Sequence, residues 1–84
     1  MLQVLFFARV KEQLNCAGLE LQWQHCVSDL DSLQEQLCSE HGAVWREVLG
    51  QENLIRAVNQ TVVNGNKSLA DGDEIAFFPP VTGG

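Results

Sequence analysis

The sequence predicts one α+β domain, a mixed five-stranded sheet with a single main helix packed on one face. Three observations carry that expectation. The chain has 84 residues, room for one compact core and no second domain. Short alternating apolar runs at both ends and in the third quarter read as strands. Between them one long stripe of leucines has helical spacing. With 45% hydrophobic residues the composition is that of an ordinary globular domain.

The first element is a strand, Leu2-Gln3-Val4-Leu5-Phe6-Phe7, with Leu2, Val4 and Phe6 on one face. Leu5 and Phe7 leave the other face partly apolar. Val10 and Leu14 stand at i, i+4, which predicts a short helix over 8–15 stopped by Gly18. Leu19, Leu21 and Trp23 alternate with polar residues as a second, half-buried strand. Ser28 is expected to open the main helix, with Asp31 completing a capping box. Leu30, Leu33 and Leu37 form its buried stripe and Gly42 its stop.

Residues 43–53 are ambiguous: Val44, Trp45, Val48 and Leu49 fit a helical turn against the core. Residues 54–58 and 60–63 read as short strands, with turn signals at Asn64-Gly65 and Asp71-Gly72. Glu74 to Phe78 is the last strand, ended by Pro79-Pro80 because proline cannot donate to the ladder. The single domain thus spans 1–84, with 79–84 as a flexible C-terminal tail.

The charge excludes several functions. Eleven acids against five bases give a net charge of −6 and argue against nucleic acid or an anionic membrane surface. No run is long enough for a membrane span or an export signal, so the cytoplasm is the expected location. Three cysteines, Cys16, Cys26 and Cys38, without CxxC spacing, fit reduced thiols better than a disulfide scaffold.

Candidate chemical sites fail on geometry. His25, Cys26, Cys38 and His41 could each bind zinc, but the intervening helix, at ~1.5 Å rise per residue, sets the two pairs roughly 15–18 Å apart. Cys38 and His41 are i, i+3 neighbours at a helix C-terminus, where the dipole disfavours a thiolate. Asp71-Gly72-Asp73-Glu74 lacks the acidic ladder of a calcium loop and reads as a turn. No phosphate-binding, dinucleotide or nucleophile-elbow motif is present, so no catalytic set of the chain's own is expected.

The end of the chain differs. After the last strand, Pro79-Pro80 stiffen the exit, and Val81-Thr82-Gly83-Gly84 finish on two residues without Cβ. Such an end can pass through a narrow channel and present a carboxylate to another protein's reactive groups. Alternation also places Phe78 and Ala76 on the face opposite Ile75 and Phe77. Phe7 then faces out from the first strand.

Three stretches carry a resemblance: Val4-Leu5-Phe6-Phe7-Ala8 with Lys11-Glu12, Ala57-Val58-Asn59-Gln60-Thr61, and the run from Asp71 through Gly84. They resemble the ubiquitin-like sulfur carriers that form the small subunit of molybdopterin synthase. Residues 15–53 agree only in pattern, and the cysteines lie outside the matching motifs.

The resemblance implies a ubiquitin-like β-grasp and a cycle centred on Gly84. A ubiquitin-activating-like adenylating enzyme would use ATP to activate its carboxylate. A sulfur donor protein would convert it to a thiocarboxylate. The tail, Val81, Thr82 and Gly83 included, would then enter the large subunit of the synthase and deliver sulfur to a cyclic pyranopterin phosphate. The resemblance also implies two small and two large subunits, no stably bound cofactor or metal, and a partner-binding patch of Phe7, Val62 and Phe78. The rival readings are a thiamine-pathway sulfur carrier, a ubiquitin-like protein modifier, and a plain interaction module.

Overall fold

The structure, a computed structural model, describes residues 1–23 and 28–80. Five strands form one sheet: β1 (Leu2–Phe6), β2 (Gly18–Leu21), β3 (Ile55–Val58), β4 (Thr61–Val63) and β5 (Glu74–Phe78). Their order is β2-β1-β5-β3-β4. β1 and β5 run parallel at the centre, Val4 opposite Ile75 and Phe6 opposite Phe77, and every other pairing is antiparallel. The described residues form three helices, α1 (Ala8–Leu14), α2 (Leu30–His41) and α3 (Ala43–Leu49). With the long helix α2 laid on one face of a mixed sheet, the architecture is a ubiquitin-like β-grasp.

The alternation in the strands and the stripe in α2 meet in one core. Leu2, Val4, Phe6, Ile75 and Phe77 from the sheet and Leu30, Leu33 and Leu37 from α2 are all buried in one cluster. Phe6 lies at its centre, stacked on Phe77 at 5.8 Å and edge-on to Trp45 at 5.3 Å. Both geometries suit the ring quadrupole. The ambiguous stretch after Gly42 is α3, which buries Trp45, Val48 and Leu49 but leaves Val44 exposed. Gly42 at φ 97° gives the sharp break between α2 and α3.

Polar contacts fix how α2 sits. The Arg56 side chain leaves β3 on the helix side. Its guanidinium donates to Asp31 at 2.7 Å, to Gln34 at 3.0 Å and to the Gly65 carbonyl at 2.6 Å. Arg46 of α3 grips Glu35 with both terminal nitrogens at 2.9 and 3.1 Å, the fork geometry that makes arginine–carboxylate pairs specific.

Four sequence expectations need correction. Gly18 does not end the first helix. Asn15, in the left-handed region at φ 52°, closes it, while Gly18 pairs opposite Leu5, where a Cβ would lie 2.7 Å from the Val4 carbonyl oxygen. The cap of α2 is Asp29, not Ser28. Its carboxylate accepts from the Ser32 N–H at 2.8 Å, whereas the Ser28 carbonyl is taken by the Leu69 N–H. β4 begins at Thr61 rather than Gln60, because Asn59-Gln60, both at positive φ, form the turn between β3 and β4, while Asn64-Gly65 bends the chain after β4 as its turn signal predicts. Trp23 lies past the end of β2, half-buried against the core.

Two outcomes check this account. Ile75→Ala should cost about 2–5 kcal/mol in urea unfolding, as for buried aliphatic truncations, and a loss below ~1 kcal/mol would mean the faces of β5 are reversed. The second concerns acid. The Ser32 N–H holds the Asp29 carboxyl below its ordinary 3.8, and the Asn59 amide holds Asp73 below the same value. A depressed folded pKa adds stability above the unfolded value and loses it as pH falls through the folded one. Stability should therefore decline below about pH 4, and Asp29→Asn, which keeps the cap, should shallow that decline. An unchanged acid slope in this variant would contradict the assignment.

Candidate functional site

The candidate site is the sheet face that α2 leaves uncovered, together with the end of β5. Strand register lines up its residues in rows. Leu5 of β1 stands opposite Ala76 of β5, Ala76 opposite Ala57 of β3, and Ala57 opposite Val62 of β4. In the next row Phe78 stands opposite Ile55. Phe7 continues this row beside Phe78: its backbone stays extended at φ −126°, ψ 156°, and its N–H donates to the Phe77 carbonyl at 3.2 Å. Ala8, at φ 53°, then turns the chain into α1.

An apolar band therefore crosses four strands without a charge in it. Phe7 and Val62 are 48% and 57% exposed, two of the most exposed large apolar side chains described. Contiguous exposed apolar surface of this kind marks an interface more often than chance placement. At the far end of the same face the rows turn polar, with Gln3 opposite Glu20 and Glu74.

Phe7, Val62 and Phe78 thus share one face of the sheet. Phe7 and Val62 point outward as predicted. Phe78 lies on the outer face but is half-buried, and it is outside the core cluster. Ala76 is on that face too, yet it is buried at 9%, as is Ala57 at 4%, because a methyl group between longer neighbours is covered by them. Leu5, Ile55 and Ala57 also join the band. Alternation in the first strand had flagged Leu5. Ile55 and Ala57 were missed because β3 reads as continuously apolar apart from Arg56, and a run of that kind does not declare its faces.

β5 ends at Phe78, and Pro79 and Pro80 follow as half-buried walls of a cleft of about 420 Å³. Its other walls come from α1 and the segment before β3. Val81, Thr82, Gly83 and Gly84, the expected cargo-bearing tail, lie outside the described residues, as do His25 and Cys26.

Among the described residues no three His, Cys, Asp or Glu side chains converge as a metal site would require. Burial pushes the Cys38 thiol up, and its sulfur lies 3.9 Å from the Trp45 carbonyl oxygen, so this thiol is packed rather than poised. His41 stacks on Trp45 at 3.9 Å. Cys16 is half-buried with its sulfur 3.4 Å from the Gly18 carbonyl. None of the described helices is long and apolar enough to cross a membrane.

Comparison with known proteins agrees with this geometry. A family model described as the ThiS family matches residues 4–84. The chain belongs to the ThiS family. Two curated relatives align over the full length of both chains. They are the molybdopterin synthase sulfur carrier subunits of Escherichia coli, 39% identical, and Haemophilus influenzae, 38% identical. Among solved structures, a complex of subunits 1 and 2 of molybdopterin-converting factor from Helicobacter pylori contains a chain 30% identical to this one. Its TM-score is 0.68, over 99% of this chain and 97% of that one. A chain of the small archaeal modifier protein from Haloferax volcanii aligns over 99% of this chain and 98% of its own with TM-score 0.74. At 19% identity it speaks for the fold alone.

If this ThiS-family sheet carries its interface on the outer face, trimming that face should barely affect folding. Phe7→Ala and Val62→Ala should each change unfolding free energy by no more than about 0.5 kcal/mol, the range of surface substitutions. A loss above ~2 kcal/mol in either would place that side chain in the core.

Proposed function

We propose that the chain is the sulfur-carrier subunit of a molybdopterin synthase and carries its cargo sulfur on the Gly84 carboxylate. The observation that carries this reading is spatial: the apolar band of the outer face runs to the end of β5 from which the tail departs. A partner seated on Phe7, Val62 and Phe78 therefore also stands where residues 81–84 begin. Full-length relatives with the sulfur-carrier name support it, and so does a structural neighbour solved as a two-subunit complex.

The chemistry follows from the tail's composition. A carboxylate resists nucleophiles, so an adenylating enzyme first joins it to AMP from ATP, releasing pyrophosphate. The persulfide of a donor protein then displaces AMP to give an acyl disulfide, and a protein thiol cleaves its S–S bond, leaving a protein disulfide and the thiocarboxylate. Its sulfur is a soft nucleophile, ionised near neutral pH by the same reasoning that applies to cysteine thiolates. Inside the large subunit that sulfur bonds to a cyclic pyranopterin phosphate, water cleaves the acyl–sulfur bond, and the carboxylate is regenerated. Two carriers on a dimer of large subunits, working in the cytoplasm, complete the proposal.

This chain contributes a soft atom on a slender arm and a surface that sets where the arm starts. Acid–base groups and the substrate pocket belong to the large subunit. The protein-modifier reading draws on the fold neighbours from Haloferax volcanii, whose low identity supports the fold and no further.

Two tests separate these readings. Phe78→Ala should leave the protein folded and weaken large-subunit binding by at least ~2 kcal/mol in calorimetric titration, the hot-spot threshold. Unchanged affinity with a collapsed melting temperature would put Phe78 in the core. Deleting Gly84 should abolish sulfur transfer while the fold and most partner affinity survive. The shortening withdraws the carboxylate by ~3.3–3.6 Å, when even ~1 Å of misplacement can cost ~100-fold in rate. A shortened protein that still gains sulfur by intact mass and still supports product would leave the plain interaction module in place of the carrier.

A further inference from the structure

The charges of this molecule are arranged along the axis of β5. Asp71, Asp73 and Glu74 gather at its start, where Glu20 also lies across Gln3 from Glu74. The cations are distributed differently. Arg46 is paired with Glu35, Arg56 with Asp31 and the Met1 ammonium with Asp71, and Lys67 lies close enough to Asp73 to lower its pKa. Arg9 and Lys11 have no ion pair among the described residues, and both belong to α1, at the end where the tail leaves.

Arg9 also walls the cleft at the root of the tail, across from Pro79 and Pro80. Beside it stand the side-chain amides of Gln13, Gln51 and Asn53, which, like Arg9, make no hydrogen bond among the described residues. Glu12 is the single acid in the lining. The cleft therefore offers one guanidinium and three amides with donors to spare, against one carboxylate. The amides serve donors and acceptors alike, so the guanidinium decides the preference, and arginine and carboxylate match in shape and charge.

From this we propose that the Arg9 cleft receives an acidic segment of the large subunit, at the rim of the channel that the tail enters. The proposal rests on the carrier reading and extends the docking surface beyond the apolar face. Its work is orientation. A carrier with net charge −6 is drawn toward basic surface in many attitudes. An unpaired guanidinium at the tail root, with the acidic end of β5 opposite, favours the attitude in which the tail leads. Rim charges of this kind act mainly on association rate and its salt dependence, whereas the apolar centre acts on dissociation.

The test is stopped-flow or surface-based kinetics of the full-length carrier with its cognate large subunit, across a salt series. Arg9→Glu should slow association about tenfold at low salt, and Arg9→Gln about threefold, with dissociation changed less than about twofold. Both differences should shrink toward high salt, where screening reaches ~3 Å at 1 M. Melting curves check folding, and Arg9→Gln decides the matter if the charge reversal fails to fold. Association rates unchanged by both variants, or a slowing that salt does not diminish, would overturn the proposal. So would an effect seen only with the adenylating enzyme. Phe78→Ala, run alongside, should speed dissociation instead. A wild-type carrier that does not bind the large subunit at all would bring down the carrier reading itself, and this proposal with it.

Discussion

β1 and β5 lie side by side and parallel, Val4 against Ile75 and Phe6 against Phe77, although one opens the chain and the other nearly closes it. Parallel neighbours cannot be joined by a tight turn, so the intervening chain must cross over the sheet. Here the crossing carries α2 and α3, which cover one face and leave the other bare. The same pairing sets the ends of β1 and β5 together, so Phe7, α1, Phe78 and the root of the tail share one edge of the molecule. Without that pairing the core, the open face and the tail would have no fixed relation.

Burial follows from this arrangement. The inward residues of the two central strands are fully buried because the leucine stripe of α2 and the Trp45 ring close over them. The outward residues divide by size. Ala57 and Ala76 sit low at the centre of the open face, and Phe7 and Val62 stand proud at its borders. A partner thus meets a shallow apolar saddle with raised edges. Several charged groups are occupied elsewhere, in the cap of α2 and in the Glu35–Arg46 and Asp31–Arg56 clamps that seat the helices. A molecule so organised is suited to carry a reactive group rather than to generate one.

Much of this was legible in the residues, for definable reasons. The period-two runs of β1 and β5 and the leucine stripe of α2 declare their buried faces outright, because a single slip would expose every apolar residue. The Phe-Phe-Pro-Pro exit was legible because proline ends a ladder by chemistry. Less legible were features decided by backbone geometry. Asn15 takes the left-handed conformation where a glycine stop was expected, and Asn59 takes another at the turn between β3 and β4, a region asparagine enters more readily than most residues. At Asn59 the amide is held by the start of β5, donating to Asp73 at 3.0 Å and accepting from the Glu74 N–H at 3.0 Å. Asp29 displaced Ser28 as the cap because Ser28's carbonyl is engaged with Leu69, a contact 41 residues away that no local pattern reveals. The Arg9 cleft was equally hidden, since its walls come from three separate stretches of chain.

The central claim is that a sulfur atom held at Gly84 becomes part of the product. It is tested most directly by loading the carrier with a heavy sulfur isotope as the thiocarboxylate. The loaded carrier is then mixed with the large subunit and cyclic pyranopterin phosphate in a single turnover. The account predicts that the label leaves the carrier, whose mass returns to that of the carboxylate, and appears in the dithiolene of the product. Label retained on the carrier while unlabelled product forms would contradict it.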